Sequence, residues 1–233
     1  HADIVIVTNL EGDHLEHYRD LDEIIEVVAT FIKSLPAGAK VVACIDDAGV
    51  LRLMETLGDI AVTTYGWAEG ADWRISDEAL TAGGSTFQVG GRQYALQVPG
   101  KHNIANATAA IAACGLLGID LGAGQAGLAG FTGVKRRFQT IGSVGGVTVI
   151  DDYAHHPSEI KATLAAANLL KRPVHAVFQP HRYSRLEALL DDFATSFGGV
   201  RSVTIMETYS AGEAPRKVDA AALAKLIQQH ETT

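Results

Sequence analysis

Two carboxylates, a phenol and two imidazoles stand within one short run, Asp151-Asp152-Tyr153-Ala154-His155-His156. Such groups can exchange protons near neutral pH, hold hydroxyls and bind cations. The β-prone residues Val147 to Ile150 lead into the run, and Pro157 opens a helical pattern with Ser158 and Glu159 in its first turn. A strand that ends in a polar loop at a helix start puts spare backbone N–H groups and the helix dipole where an anion is favoured. In open α/β sheets, ligands gather outside the carboxyl ends of strands. The plain alternative is a capped turn with incidental histidines.

Four more segments carry chemistry. Thr8-Asn9-Leu10-Glu11-Gly12-Asp13-His14 combines carboxylates with an imidazole that could hold a divalent metal through a neutral ring nitrogen. It also reads as a solvated strand-to-helix loop, and His17 nearby brings no third zinc ligand at recognisable spacing. In Pro99-Gly100-Lys101-His102-Asn103-Ile104-Ala105-Asn106, the amides of Asn103 and Asn106 share one helix face. Paired donors and acceptors suit the edge of a base, although a cap plus a surface amide would look the same. Lys135-Arg136-Arg137 suits phosphate oxygens, or is a solvated basic turn. In Gln179-Pro180-His181-Arg182-Tyr183-Ser184-Arg185, two guanidiniums near a helix start could clamp a carboxylate or phosphate. The dipole there disfavours cations, which hints at an anionic ligand.

One motif misleads. Gly122-Ala123-Gly124-Gln125-Ala126-Gly127 satisfies the dinucleotide pattern G-x-G-x-x-G, but a helix precedes it where a strand is required. A helix–helix connection is expected instead. The phosphate-loop pattern G-x-x-x-x-G-K-[ST] is absent: His102 follows Gly100-Lys101.

The elements that position these groups alternate between strand and helix. Strands are expected at Ile4 to Val7, Val41 to Ile45 and Ala61 to Tyr65, with helices from Leu21 to Ile32 and from Asp46-Asp47 through Leu57. Between Trp73 and Val98 the pattern becomes antiparallel, with a hairpin about Gly90-Gly91. An alanine-rich helix runs from about Asn103 to Leu117, then a short helix and linker to Gly133. Thr140 to Val144 and Val147 to Ile150 form a second hairpin. Helices Pro157 to Leu170, Leu186 to Phe197 and one from Val218 alternate with strands Val174 to Phe178 and Val203 to Met206. A domain boundary is expected near Thr132, giving domains 1–132 and 133–233.

With 233 residues and 47% hydrophobic content, two ordinary domains can each fill a core. A net charge of −8 argues against nucleic-acid or membrane-surface partners. Two cysteines, Cys44 and Cys114, fit a reducing compartment and supply no disulfide framework. No apolar run reaches transmembrane length and no signal peptide is seen, so a cytoplasmic location is expected. The chain opens on His1 and runs at once into a buried-type strand, which reads as a piece cut from a longer protein.

In order, T-N-L-E-x-D-H, G-K-H-N-x-x-N, G-V-K-R-R-F-Q, D-D-Y-A-H-H-P and Q-P-H-R-Y-S-R resemble the Mur ligases of bacterial peptidoglycan synthesis, from Val7 to about Gly212. The paired histidines and the last run resemble the member that adds L-alanine; the muropeptide-recycling ligase is the nearest rival. The resemblance implies an α/β fold: the back part of a P-loop-type central ATPase domain (1–132), then the front of a Rossmann-like C-terminal domain (133–233). It implies an ATP-dependent ligase in which the carboxylate of UDP-N-acetylmuramate becomes an acyl phosphate that the amine of L-alanine attacks. It assigns His14 to Mg2+, and His102, Asn103 and Asn106 to adenine. Arg137 is assigned to the γ-phosphate and Asp152 to the ribose. Tyr153, His155, His181, Arg182 and Arg185 are assigned to the amino acid and acyl group, and Arg137 and His155 to catalysis.

The departures from the family matter too. The UDP-binding domain, the phosphate loop with a magnesium-binding glutamate, and the end of the C-terminal domain find no match. The chain alone is therefore expected not to hydrolyse ATP, and its cut sheet to be prone to association. A metal-dependent hydrolase using Asp13, His14, His155 and His156, and a non-catalytic nucleotide-binding module, are the other classes open to this sequence.

Overall fold

Apolar strands alternating with amphipathic helices build the first of two units. The computed structural model describes residues 2–13 and 17–231; one unit holds 2–12 and 18–132, the other Asp13, His17 and 133–231. In the first, β1 (Ile4–Val7), α1 (Leu21–Lys33), β2 (Lys40–Cys44), α2 (Ala48–Leu57), β3 (Val62–Gly66) and a short β4 (Trp73–Arg74) give a parallel sheet of order β1-β2-β3-β4. Aspartates start both helices. Asp20 accepts from the Glu23 N–H at 3.0 Å. Asp47 accepts from Val50 at 2.8 Å and from Leu10 at 3.1 Å, so the cap of α2 also fastens the loop after β1.

An antiparallel sheet of β5 (Ser76–Thr81), β6 (Gly84–Val89) and β7 (Arg92–Leu96) follows, then α3 (Lys101–Leu116) and α4 (Leu121–Ala129). Gly84 is required there: its φ is +154°, and a Cβ would lie 2.1 Å from the Leu96 carbonyl oxygen. The parallel sheet is covered on both faces. Val41 and Ala43 pack with Ile25, Ile32, Val50 and Leu53, whereas Val42 and Cys44 pack with Tyr65, Ala109 and Ala112 of α3. That is why β2 is uninterrupted in its apolar character. The antiparallel sheet buries Phe87, Val89, Tyr94 and Leu96 against Ile104 and Ile111.

The G-x-G-x-x-G glycines lie inside α4, not in the expected connection between helices. Asp120 caps that helix, accepting from Gly122 at 3.1 Å and Ala123 at 3.3 Å. No residue of α4 is buried; Leu121 and Leu128 reach the core partly, and two glutamines tether the helix to β7 and its end. Gln125 Nε2 donates to the Gln93 carbonyl and Gln97 Nε2 to that of Ala129, each at 2.6 Å.

In the second unit, β8 (Gln139–Val144) and β9 (Val147–Asp151) form the hairpin about Gly145-Gly146, both glycines having positive φ. Next come α5 (Pro157–Asn168), β10 (His175–Phe178), α6 (Tyr183–Ala188), α7 (Leu190–Ala194), β11 (Ser202–Ile205) and α8 (Ala220–Glu231), with β10 and β11 parallel. Phe178 is central, its ring centroid 5.6 Å from that of Phe193 and 5.5 Å from that of Phe197. Ile160, Leu164, Leu186, Leu223 and Ile227 close this core.

Three expectations are corrected. The helix expected from Leu186 to Phe197 is two, because Leu189 leaves helical geometry (φ −120°, ψ 25°); Leu186 and Phe193 on either side of the break are both buried. The stretch between Trp73 and Val98 is not wholly antiparallel, since β4 runs parallel to β3. The last helix starts at Ala220 and not at Val218. Among the described residues, no helix is long and apolar enough to cross a membrane.

Candidate functional site

The hairpin delivers Asp152 to the end of β9, where each carboxylate oxygen holds a backbone N–H. Oδ2 accepts from Phe138 and Oδ1 from Ala154, both at 2.8 Å. The Tyr153 N–H donates to the Arg136 carbonyl at 2.8 Å, so the basic turn is fastened alongside the polar loop. Arg136 (φ 60°) and Phe138 (φ 47°) flank Arg137 in the left-handed region, which non-glycine residues adopt at a cost. That backbone presents Arg136 4.6 Å and Arg137 5.8 Å from the centre of the Tyr153 ring.

Pro157 stands first in α5, and Glu159 reaches back from the first turn. Its Oε2 accepts from the His155 N–H at 2.8 Å and the His156 N–H at 3.2 Å, while Oε1 meets Arg137 Nη1 at 3.1 Å. Partial burial raises the Glu159 pKa, but the His155 N–H, the His155 ring and the Arg137 guanidinium together outweigh it, leaving the carboxyl below its ordinary value. The His155 Nδ1 lies 2.8 Å from the Tyr153 carbonyl, which can only accept. That nitrogen therefore carries a proton, and in the neutral ring Nε2 is left as the acceptor.

The 179–185 segment, which follows β10 and enters α6, joins the same cluster. His181 forms an isolated bridge with Tyr209, and Arg182, at φ +70°, donates its N–H to the Tyr209 carbonyl at 2.8 Å. Four rings then stand in a row: Tyr153 to His155 at 4.9 Å, His155 to His181 at 6.1 Å, and His181 to Tyr209 at 5.3 Å between centroids. The Arg185 side chain is only 5% exposed, with Nη2 2.9 Å from Asp13 Oδ1. Its Nη1 lies 3.5 Å from His181 Nδ1. Burial and the cations Arg185 and Arg182, with His155, press the His181 pKa below its ordinary value. The cluster can hold anions through its guanidiniums, and its His181 is a neutral imidazole able to take up a proton.

That depression has a measurable sign. A histidine held neutral in the fold contributes stability that is present above its unfolded pKa of about 6.5 and is lost as the pH falls below it. The melting temperature of the chain should drop between pH 7.5 and 5.5, and His181→Gln should make the drop smaller. An identical drop in both proteins would show that His181 is not its source.

His102, Asn103 and Asn106 sit in the first unit, at the start of α3. Asn103 Nδ2 donates to the Pro99 carbonyl at 2.7 Å, which fixes its amide, and Asn106 and His102 are exposed. His14 lies outside the described residues. Among the described residues, no three of His, Cys, Asp and Glu come together as a metal site.

Sequence reasoning placed Glu159 in a helix start without a role and missed Tyr209 and Glu213. Glu213 accepts from the Ser184 N–H at 2.9 Å and the Ser184 hydroxyl at 2.5 Å, fixing the start of α6. Both missed residues follow β11, and the carboxyl ends of strands were the signal that could have found them.

Comparison with known proteins supplies the lineage. A Mur ligase middle-domain model matches residues 1–114, and a model of the Mur ligase glutamate ligase domain matches 136–233. The UDP-N-acetylmuramate–L-alanine ligase of Rhodopseudomonas palustris strain TIE-1 is 42% identical over 226 residues, covering 92% of this chain and 48% of that protein. The chain thus spans about half the length of the curated relatives it matches. MurF from Acinetobacter baumannii superposes with a TM-score of 0.76 at 19% identity, over 98% of this chain and 54% of that one. Mycobacterium tuberculosis folylpolyglutamate synthase, solved with ADP and AMPPCP, gives a TM-score of 0.73 at 22% identity, over 98% of this chain and 52% of its own. These likenesses show a shared mixed α/β fold. With two of its domain models matched in succession and a 42% identical relative aligned over 92% of the chain's length, the chain belongs to the Mur ligase family.

Proposed function

We propose that the chain is the nucleotide- and amino-acid-handling part of an ATP-dependent ligase that joins L-alanine to UDP-N-acetylmuramate through an acyl phosphate. The observation that carries this is the cluster in the second unit, where Arg137, Tyr153, His155, His181 and Arg185 converge through ring contacts and charged hydrogen bonds. Residues 1–132 would form the central ATP-binding domain and 133–233 the C-terminal domain. The name of the Rhodopseudomonas relative supports alanine as the amino acid, and the nucleotides bound to the folylpolyglutamate synthase support ATP.

The residues suit these ligands. Asn106 offers a free-standing amide face beside the fixed Asn103, with His102 adjoining, for the donor–acceptor edge of adenine. Each Asp152 oxygen keeps a lone pair for a ribose hydroxyl after accepting its backbone N–H. Arg137, with Nη1 on Glu159, still has donors to offer the γ-phosphate, where it would offset charge developing in transfer. Arg182 and Arg185 would receive the alanine carboxylate and the acyl group, with Tyr153, His155 and His181 lining that end. Catalysis is then mainly orientation and electrostatics, with the alanine amine as nucleophile and His155 beside it. Magnesium would be held by His14.

The test is phosphate release by this chain joined to the segments of the Rhodopseudomonas ligase that it does not match. With ATP, magnesium and UDP-N-acetylmuramate present, release should depend on L-alanine. Equal rates with and without L-alanine would overturn the assignment in favour of the recycling ligase or a nucleotide-binding module. The 233 residues alone, which contain no G-x-x-x-x-G-K-[ST] stretch, should hydrolyse no ATP.

A further inference from the structure

We infer that Glu159 is a positioning residue: its single carboxylate locks the Arg137 guanidinium to the His155 loop, so that both catalytic groups are set before substrate arrives. The inference rests on the function proposed above. A glutamate in the first turn of a helix ordinarily complements the dipole and caps the backbone, and one oxygen suffices for that. Here Oε2 alone takes both backbone N–H groups, from His155 at 2.8 Å and His156 at 3.2 Å. The other oxygen is given to Arg137, 22 positions upstream, at 3.1 Å.

Arg137 is brought there by a tight turn of the backbone. Both of its neighbours have left-handed φ, and four hydrogen bonds hold the turn. These join the Arg137 N–H to the Val134 carbonyl at 3.1 Å, the Phe138 N–H to Asp152, the Tyr153 N–H to the Arg136 carbonyl, and the Arg136 N–H to Gln139 Oε1 at 2.8 Å. The His155 ring is held through one nitrogen, with Nδ1 in hydrogen-bond contact with the Tyr153 carbonyl and 3.4 Å from Glu159 Oε2. A guanidinium tied by one Nη keeps its remaining N–H groups in a fixed fan. An anion meeting it then gains charge-assisted hydrogen bonds without first ordering a long side chain. Preorganisation of that kind is realised in the transition state, so its loss should appear in kcat before KM.

Glutamine separates the two roles. Glu159→Gln keeps an oxygen for the His155 and His156 N–H groups but removes the charge that holds Arg137. In the completed enzyme, kcat should fall on the order of a hundredfold, with KM for L-alanine nearly unchanged. In an Arg137→Ala background the same change should cost no more than about twofold, because the two residues act as a unit. A glutamine variant with wild-type kcat, or two losses that multiply, would overturn the inference. On the 233-residue chain itself, the side-chain NMR signals of Arg137 should show restricted guanidinium rotation, and Glu159→Gln should release it while the α5 amides stay in place. Unchanged Arg137 signals would equally overturn the inference. This second arm needs no turnover: an inactive wild-type enzyme would sink the ligase assignment, and the NMR result would still decide the role of Glu159.

Discussion

Replacing Arg137 with alanine is expected to lower alanine-dependent phosphate release by roughly a hundred- to a thousandfold in the completed enzyme. The side chain is 49% exposed and its ion pair with Glu159 is partly open to solvent. Removing it should therefore change the stability of the fold little. The loss is expected at the transition state, where a fixed guanidinium replaces water that would otherwise have to reorganise about the transferring phosphoryl group. Arg137→Lys should recover only part of the rate, since an ammonium keeps the charge but has neither the planar fork nor the reach to Glu159. Measured kcat at saturating ATP, with the melting temperature of each variant as the check on folding, decides the matter. A fall of less than about tenfold in Arg137→Ala would remove this residue from the list of transition-state donors.

The largest stability effect is expected at Phe193, which is 1% exposed and packs its ring on Phe178. Truncation to alanine should cost about 3–5 kcal/mol, from the lost transfer energy and the cavity left behind. Against a typical total of roughly 5–15 kcal/mol, that is enough to unfold the second unit at moderate temperature. Both tryptophans, Trp67 and Trp73, belong to the first unit, so their fluorescence follows that unit while far-UV circular dichroism follows both. Phe193→Ala should split the two transitions, with part of the dichroism lost before the fluorescence changes. If the two signals still melt together, the units unfold cooperatively and the core around Phe178 is not an independent one.

Much of this architecture can be read from the chain because local rules and tertiary packing agree in it. Asp20 and Asp47 cap helices whose apolar stripes are buried, and Gly145-Gly146 turns a hairpin between β-prone runs. Where packing overrides local pattern, the sequence is silent. Leu186 and Phe193 look like one helix face, and their spacing gives no sign of the break at Leu189 that divides the stretch into two helices. β5 is a polar strand, Ser76 to Thr81, with Asp77 at positive φ and an irregular register, so it lacks the alternation that marks a half-buried strand. In the cluster, the ionisable residues Arg137, Asp152, His155 and Arg185 stand out by type. Tyr209 does not, since it joins through a backbone bridge to His181 that depends on the parallel pairing of β10 and β11. Glu159 was visible as a helix-start residue, yet its second oxygen has meaning only once the turn carrying Arg137 is folded beside it.

The glycines of α4 bear on how the chain opens. Gly122, Gly124 and Gly127 lie within the helix, each costing about 1 kcal/mol relative to alanine, and no side chain of the helix is buried in return. Its hold on the first unit is two half-buried leucines and two glutamine tethers. An element with so little burial unfolds locally at a fraction of the global free energy, and its amides exchange with solvent long before those of β2 or α3. The stretch leading from the first unit into Gly133 is therefore expected to open ahead of the rest of that unit, and limited proteolysis to cut the chain there first.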